Sequence, residues 1–312
     1  MRTWLVAFAM CALSAQAGAS GVLAEKSWNH GSADCAKNQD PAIEVFEFDS
    51  DTYILRQNKC VNFEAPFIYV LFGEHTVFVQ DTGASADASQ FPLYDTVQSL
   101  IAQRHQHELK ILVTHSHGHR DHRAADPQFR GKPGVTLIEP NAKDVREYFA
   151  FSAWPEGLAT IDLGGRLLEV VPAPGHQDEG IAVYDSRTGW LLTGDNLYPG
   201  RLYVKNWYVK NWNEYRSSMR RLVEFSKSHR ISAVLGTHIE ISSSGKLFEA
   251  GSTFQPDEAD LDLTAQDLSK LDQALQDAGN EPKEIVLAKF VVVPIGAFWR
   301  MLSNVLGWLG VR

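Results

Sequence analysis

Between residues 114 and 122 the chain reads Thr114-His-Ser-His-Gly-His-Arg-Asp-His122. Within it His117, His119, Asp121 and His122 spell H-x-H-x-D-H, directly after the apolar run Ile111-Leu112-Val113. Three imidazoles and a carboxylate at the end of a strand-like run are a mixed nitrogen and oxygen donor set, suited to zinc or iron and typical of hydrolytic metals. A histidine cluster on its own can also be a solvated loop or a tag, though this spacing favours the metal. Three more residues weigh against that. His176 follows Val170-Val-Pro-Ala-Pro-Gly175, Asp195 closes Trp190-Leu-Leu-Thr-Gly194, and His238 closes Ile231-Ser-Ala-Val-Leu-Gly-Thr237. Singly, each reads as a cap or turn residue. Together they are side chains at strand ends, which project from a rigid sheet into one crevice.

In this order the residues resemble the metallo-β-lactamase superfamily, over roughly residues 43 to 240. The resemblance implies a four-layer αββα sandwich and two metal positions, with zinc expected and iron or manganese as alternatives. His117, His119 and His176 would hold the first metal, and Asp121, His122 and His238 the second, with Asp195 bridging both. Thr114-His115-Ser-His117 also looks like the opening of the motif, but that register would put Arg120 at the last histidine, and a guanidinium cannot ligate a cation. His115 is then an extra imidazole, for the second shell or for packing. Asp81, in Val77-Phe-Val-Gln-Asp81-Thr-Gly83, matches the family's Asp-x-Gly turn and is expected to support a ligand imidazole. Asp121 is the expected catalytic carboxylate, orienting the attacking hydroxide and handling its proton.

A carboxylate at Asp195 resembles the thioesterase, lactonase and phosphodiesterase branches, whereas true metallo-β-lactamases carry Cys or Ser there. The implied activity is metal-dependent hydrolysis of an ester, lactone or thioester. The alternatives are an iron-dependent oxidoreductase of the same fold, persulfide dioxygenase-like, or a β-lactamase-like amide hydrolase. A flavodiiron protein is disfavoured because fewer than 75 residues follow His238. A binding protein without activity is disfavoured because all seven ligand positions hold competent residues. A glyoxalase II-like thioesterase would need a larger basic C-terminal region, so a lactone or other ester ranks above it.

Arg2, the apolar stretch Trp4 to Leu13 and the small residues around Ala17-Gly-Ala19 read as a secretory signal peptide over residues 1–19. The stretch is too short to span a bilayer, and Cys11 lacks a lipoprotein context. Export to a periplasmic or extracellular space then makes the remaining pair, Cys35 and Cys60, a disulfide rather than metal ligands. Residues 20–280 are expected to form one hydrolase domain and 281–312 an apolar extension. The formal charge of −9 and pI near 5.7 argue against nucleic acid and leave a small molecule as the substrate.

These residues need a scaffold. Strand-like runs fall near 43–48, 52–55, 67–71, 76–80, 110–114, 135–138, 167–171, 181–184, 189–193 and 232–236. Helical patterns fall near 92–107, with Pro92 in the first turn, and near 141–150, 212–228 and 264–278. Pattern alone gives an α/β chain with a mixed sheet. Tyr203-Val-Lys-Asn-Trp207 repeats at once as Tyr208-Val-Lys-Asn-Trp212, a duplication read evenly as a wall of the cleft or as packing. From Ile285 to Val311 a strand and then a short amphipathic helix are expected, to cap the sandwich, form a homodimer or touch a membrane surface.

Overall fold

The computed structural model describes residues 23, 25–104, 109–205 and 209–296. The expected leader, the end of the 92–107 helix, Asn206, Trp207 and Tyr208 of the repeat, and the expected helix beyond residue 296 lie outside the described residues.

Two six-stranded sheets carry the fold. The first runs in the order β1 (Ile43–Asp49), β2 (Thr52–Gln57), β3 (Phe67–Phe72), β4 (Thr76–Gln80), β5 (Lys110–Thr114) and β6 (Val135–Leu137). Its first four strands pair antiparallel, and β4, β5 and β6 run parallel. The second contains β7 (Ala159–Asp162), β8 (Leu167–Pro172), β9 (Ile181–Asp185), β10 (Trp190–Gly194), β12 (Ala233–Gly236) and β13 (Asp262–Leu263), in the order β13-β12-β10-β9-β8-β7. β11 (Arg201–Lys205), β14 (Ile285–Val286) and β15 (Val291–Ile295) make a third, small sheet. The strand near 290–295 was expected from sequence. Its parallel partner β11 was not.

The layers follow from alternation along the central strands. Ile54, Tyr69 and Phe78 of the first sheet meet Val170, Val183 and Leu192 of the second in one core. Their neighbours Leu55, Val70 and Val79 face the other way, against Val97, Leu100 and Ile101 of α1 (Leu93–Gln103). Short helical turns α2 (Arg120–Arg123) and α3 (Asp126–Phe129) and helix α4 (Ala142–Tyr148) follow β5 and β6. Val171 and Leu191 pack on Trp212, Met219 and Leu222 of α5 (Val209–Ser228) and on Leu268, Leu271 and Leu275 of α6 (Ala265–Ala278). Helix, sheet, sheet, helix is the four-layer αββα order. Pro92 caps α1 from outside rather than sitting in its first turn, and Thr264 and Asp267 close α6 with a reciprocal capping box.

At one end the sheets are joined through the buried Arg166 guanidinium. Arg166 donates to Asp185 Oδ1 and Oδ2 at 3.0 and 2.6 Å, and to Asp51 O and Thr52 Oγ1 of the first sheet at 2.6 and 3.0 Å. β4, β5, β8, β10 and β12 all finish at the opposite end. Gly194 lets the sheets close there: its φ is +56°, and a Cβ on it would stand 2.4 Å from Ser116 Cβ.

Candidate metal centre

Every expected ligand leaves a strand at that end. β5 runs out into the loop carrying His117 and His119 and into α2 with Asp121 and His122. β8, β10 and β12 deliver His176, Asp195 and His238. The side chains gather into two groups, His117–His119–His176–Asp195 and Asp121–His122–Asp195–His238, whose donor atoms lie within 4.8 Å of one another in each group. In the first, His117 Nε2 and His176 Nε2 stand 2.8 and 3.0 Å from His119 Nδ1. In the second, Asp121 Oδ2 is 3.2 Å from His122 Nε2 and 3.4 Å from His238 Nε2.

Asp195 belongs to both groups. Its Oδ2 faces His176 and His117 at 3.7 and 3.9 Å, and its Oδ1 faces His122 and His238 at 3.4 and 3.5 Å. Among the described residues no hydrogen bond of good geometry reaches buried His122 Nε2, although its Nδ1 is held by Asp81 Oδ2 at 3.1 Å. A buried imidazole with one nitrogen anchored and the other aimed at two carboxylates suits a divalent cation.

The remaining ring nitrogens are tied back. His176 Nδ1 donates to Tyr203 O at 2.7 Å and His238 Nδ1 to Glu64 O at 3.0 Å. Ser116 Oγ is 3.2 Å from His117 Nδ1, and the Gln177 amide meets His119 Nε2. Asp81 anchors the loop by accepting Ser116 N at 2.7 Å, from a left-handed backbone with φ +69°. Thr237 Oγ1 donates to Asp195 Oδ1. Glu179 braces the loop from the second sheet, accepting Gly118 N at 2.8 Å.

His115 stands apart from both groups. Its Nε2 is 2.8 Å from Asp126 Oδ1 and its Nδ1 is 3.2 Å from Ile138 O, so it fastens the loop to the structure behind it. Cys35 and Cys60 are bonded, with a sequence separation of 25.

Charge divides the two groups. Burial holds the His117 imidazole well below its ordinary value and brings His119 down to about 3, helped in each case by neighbouring histidines. His176 also falls, by burial. In the second group burial is outweighed by the carboxylates: Asp121, Asp195 and Asp81 hold His122 far above its usual range, and Asp195 and Asp121 raise His238 to about 9. The surroundings of the first group therefore favour neutral imidazoles, and the carboxylates of the second favour positive charge.

The structure brings the seven expected ligand residues together, with Asp81 behind His122 and His115 turned away to Asp126. Sequence reasoning missed Gln177 and Thr237, each adjacent to an expected ligand, and Ser116 inside the motif. It also missed Glu64, from a loop with no motif signal, and Glu240, two residues beyond His238 in an extended stretch. These two join Tyr198, Tyr203 and Ile295 around a cleft of about 290 Å³ that opens onto the donors.

The family profile described as "Metallo-beta-lactamase superfamily" matches residues 61–228. The chain belongs to that superfamily. Among solved structures, DIM-1 metallo-beta-lactamase is 14% identical, with a TM-score of 0.50 over 77% of this chain and 99% of that one. The metallo-beta-lactamase from Pontibacter korlensis is 18% identical, with a TM-score of 0.49 over 75% of this chain and 99% of that one. The metallo-beta-lactamase from Hirschia baltica is 13% identical, with a TM-score of 0.49 over 78% of this chain and all of that one. At these identities the likeness is one of fold. No curated protein matches the chain in sequence. Fold and donor groups together suit a divalent metal. Among the described residues no helix is long and apolar enough to cross a membrane.

Proposed function

We propose that this protein is an exported, zinc-dependent hydrolase that holds two ions and cleaves an ester or lactone. The observation that carries the reading is Asp195, whose two oxygens turn to two separate donor groups. His117, His119 and His176 would hold one ion, Asp121, His122 and His238 the other, and Asp195 both. Zinc held there supplies a Lewis acid that polarises a carbonyl oxygen and acidifies water.

The chain's own residues do the rest. Asp81, Ser116, Gln177, Tyr203 O and Glu64 O fix the imidazoles, so the donors are oriented before substrate arrives. Asp121 commits Oδ2 to His122 and His238, which leaves Oδ1 as the atom to take the proton of the attacking water. Tyr203 and Ile295 wall the cleft and limit water around the reacting bond. A carboxylate rather than a thiol or hydroxyl at Asp195 favours esters over β-lactams. The Cys35–Cys60 disulfide supports export.

The test is metal counting with a substrate panel of lactones, thioesters, phosphodiesters and nitrocefin. Two zinc ions per chain and turnover of an ester or lactone, lost on chelation and restored by zinc, are the expected result. One iron per chain, or no hydrolysis by fully loaded protein, overturns it.

A further inference from the structure

Two hollows meet at the metal loop. The cleft over the donors shares Glu64 and Asp121 with an outer hollow of about 210 Å³, whose other walls are Asn62, Phe63, Ala84 and Arg120. Its sides are held by hydrogen bonds. Asn62 Nδ2 donates to Ala84 O at 3.2 Å, and Ala124 N, just beyond the motif, donates to Gly83 O at 2.9 Å. Arg120 is a motif residue that neither metal position uses. It is exposed, and its guanidinium has no hydrogen-bond or ion-pair partner among the described residues. The next arginine behaves otherwise, since Arg123 Nε is turned back to Gly118 O at 2.9 Å. Among the described residues that line the two hollows, Arg120 is also the one lysine or arginine.

The two carboxyl groups beside it leave that guanidinium free. Asp121 turns Oδ2 to His122 and His238 at 3.2 and 3.4 Å. Burial raises the Glu64 carboxyl to about 7, which makes it a weak competitor for a cation. A free guanidinium takes a carboxylate through two parallel hydrogen bonds. In a chain of formal charge −9 it is also the local attraction that an anionic substrate needs. We propose that the substrate is an ester whose acyl part ends in a carboxylate, and that Arg120 selects it by holding that carboxylate in the outer hollow. Asp121 walls both hollows, so the ester carbonyl of such a molecule lies over the donors. The proposal rests on the hydrolase reading above and deepens it.

The test uses the zinc-loaded full chain and the mono-4-nitrophenyl esters of adipate, pimelate and suberate. Each is paired with the ester whose free end is the primary amide, equal in size and uncharged. At one or more of these lengths the acid is expected to exceed its amide by about tenfold in kcat/KM. Arg120→Gln, compared at equal zinc content, should bring that ratio close to one, and Arg120→Glu should bring it below one. No preference for the acid at any length, or a preference that Arg120→Gln keeps in full, would overturn the proposal. Calorimetry with the matching methyl ketones, 6-oxoheptanoate, 7-oxooctanoate and 8-oxononanoate, separates the two readings. If no ester is cleaved but a ketone binds the wild type about tenfold more tightly than Arg120→Gln, hydrolysis falls and anion selection stands. If the ketones bind both proteins equally, or bind neither, anion selection falls.

Discussion

At the scale of single residues, the centre depends on where negative charge is placed. Asp195 turns one oxygen to each donor group, so it offsets repulsion between two dications at close range. Asp195→Asn keeps the size, removes the charge and leaves one good donor oxygen. It is expected to empty at least one metal position and to cut turnover by about 100-fold or more, with folding retained. Elemental analysis and steady-state rates check this, and two tightly held ions with near-normal turnover would show that Asp195 does not bridge. His115 calls for the opposite expectation. Its nitrogens serve Asp126 and Ile138 O, so His115→Ala should keep two ions while losing about 1–3 kcal/mol of stability from stranded buried partners. His117→Ala should lose an ion at little cost in stability. Denaturant melts beside metal counts distinguish the two, and loss of metal from His115→Ala would mean the motif is threaded one histidine earlier. Imidazoles and carboxylates with motif spacing could be read from the chain because ligand chemistry allows few residue types. Glu64 could not, since any residue at that position offers His238 the same main-chain oxygen.

At the scale of elements, local sequence specified less than its surroundings did. The pentapeptide Tyr-Val-Lys-Asn-Trp starts in β11 in its first copy and ends in α5 in its second. Tyr203 walls the cleft, whereas Trp212 is fully buried against the second sheet. One short sequence thus serves as strand and as helix, because strand pairing with β15 decides the first and burial of an apolar face the second. That is also why β11 escaped a reading based on periodicity: it has five residues, and its partner lies some ninety positions later. The long central strands were readable since they are apolar on both faces and end at turn residues. The disulfide acts on an element too. Cys60 sits in the loop that presents Glu64, so Cys35 fixes the wall of the cleft as well as shortening the unfolded chain. Cys35→Ser with Cys60→Ser is expected to cost about 3 kcal/mol in stability and to weaken the second metal position, whose His238 leans on Glu64 O. Thermal melts with and without zinc would measure both, and an unchanged zinc affinity would confine the disulfide to stability.

Across the whole molecule, the two sheets are clamped at one end by Arg166, held by Asp185 and donating to Asp51 O and Thr52 Oγ1, and meet at the other around the donors, so packing between them sets the spacing of the donors. Near the metal end a second buried network costs stability. Arg56 forms a two-point pair with Glu258 at 2.6 and 2.7 Å, and Lys59 shares that carboxylate from 3.9 Å. Two cations on one buried anion leave Lys59 poorly compensated: burial, then Arg56, lower its ammonium from 10.5 to about 8. The sign follows from proton counting. Between about 8 and 10.5 the unfolded chain binds this proton and the folded chain does not, so the Lys59 contribution to stability rises with pH across that window. Below about 8 the ammonium is held in both states and the full penalty applies. Lys59→Met keeps the length of the side chain and removes the charge. It is expected to stabilise the protein at pH 7 by about 3 kcal/mol, and the gain over wild type should shrink steadily towards pH 10.5. Paired denaturant titrations at pH 7, 8, 9 and 10 would trace the difference. A gain that stays constant with pH would mean that Lys59 is fully compensated by Glu258, and that any stabilisation came from packing instead.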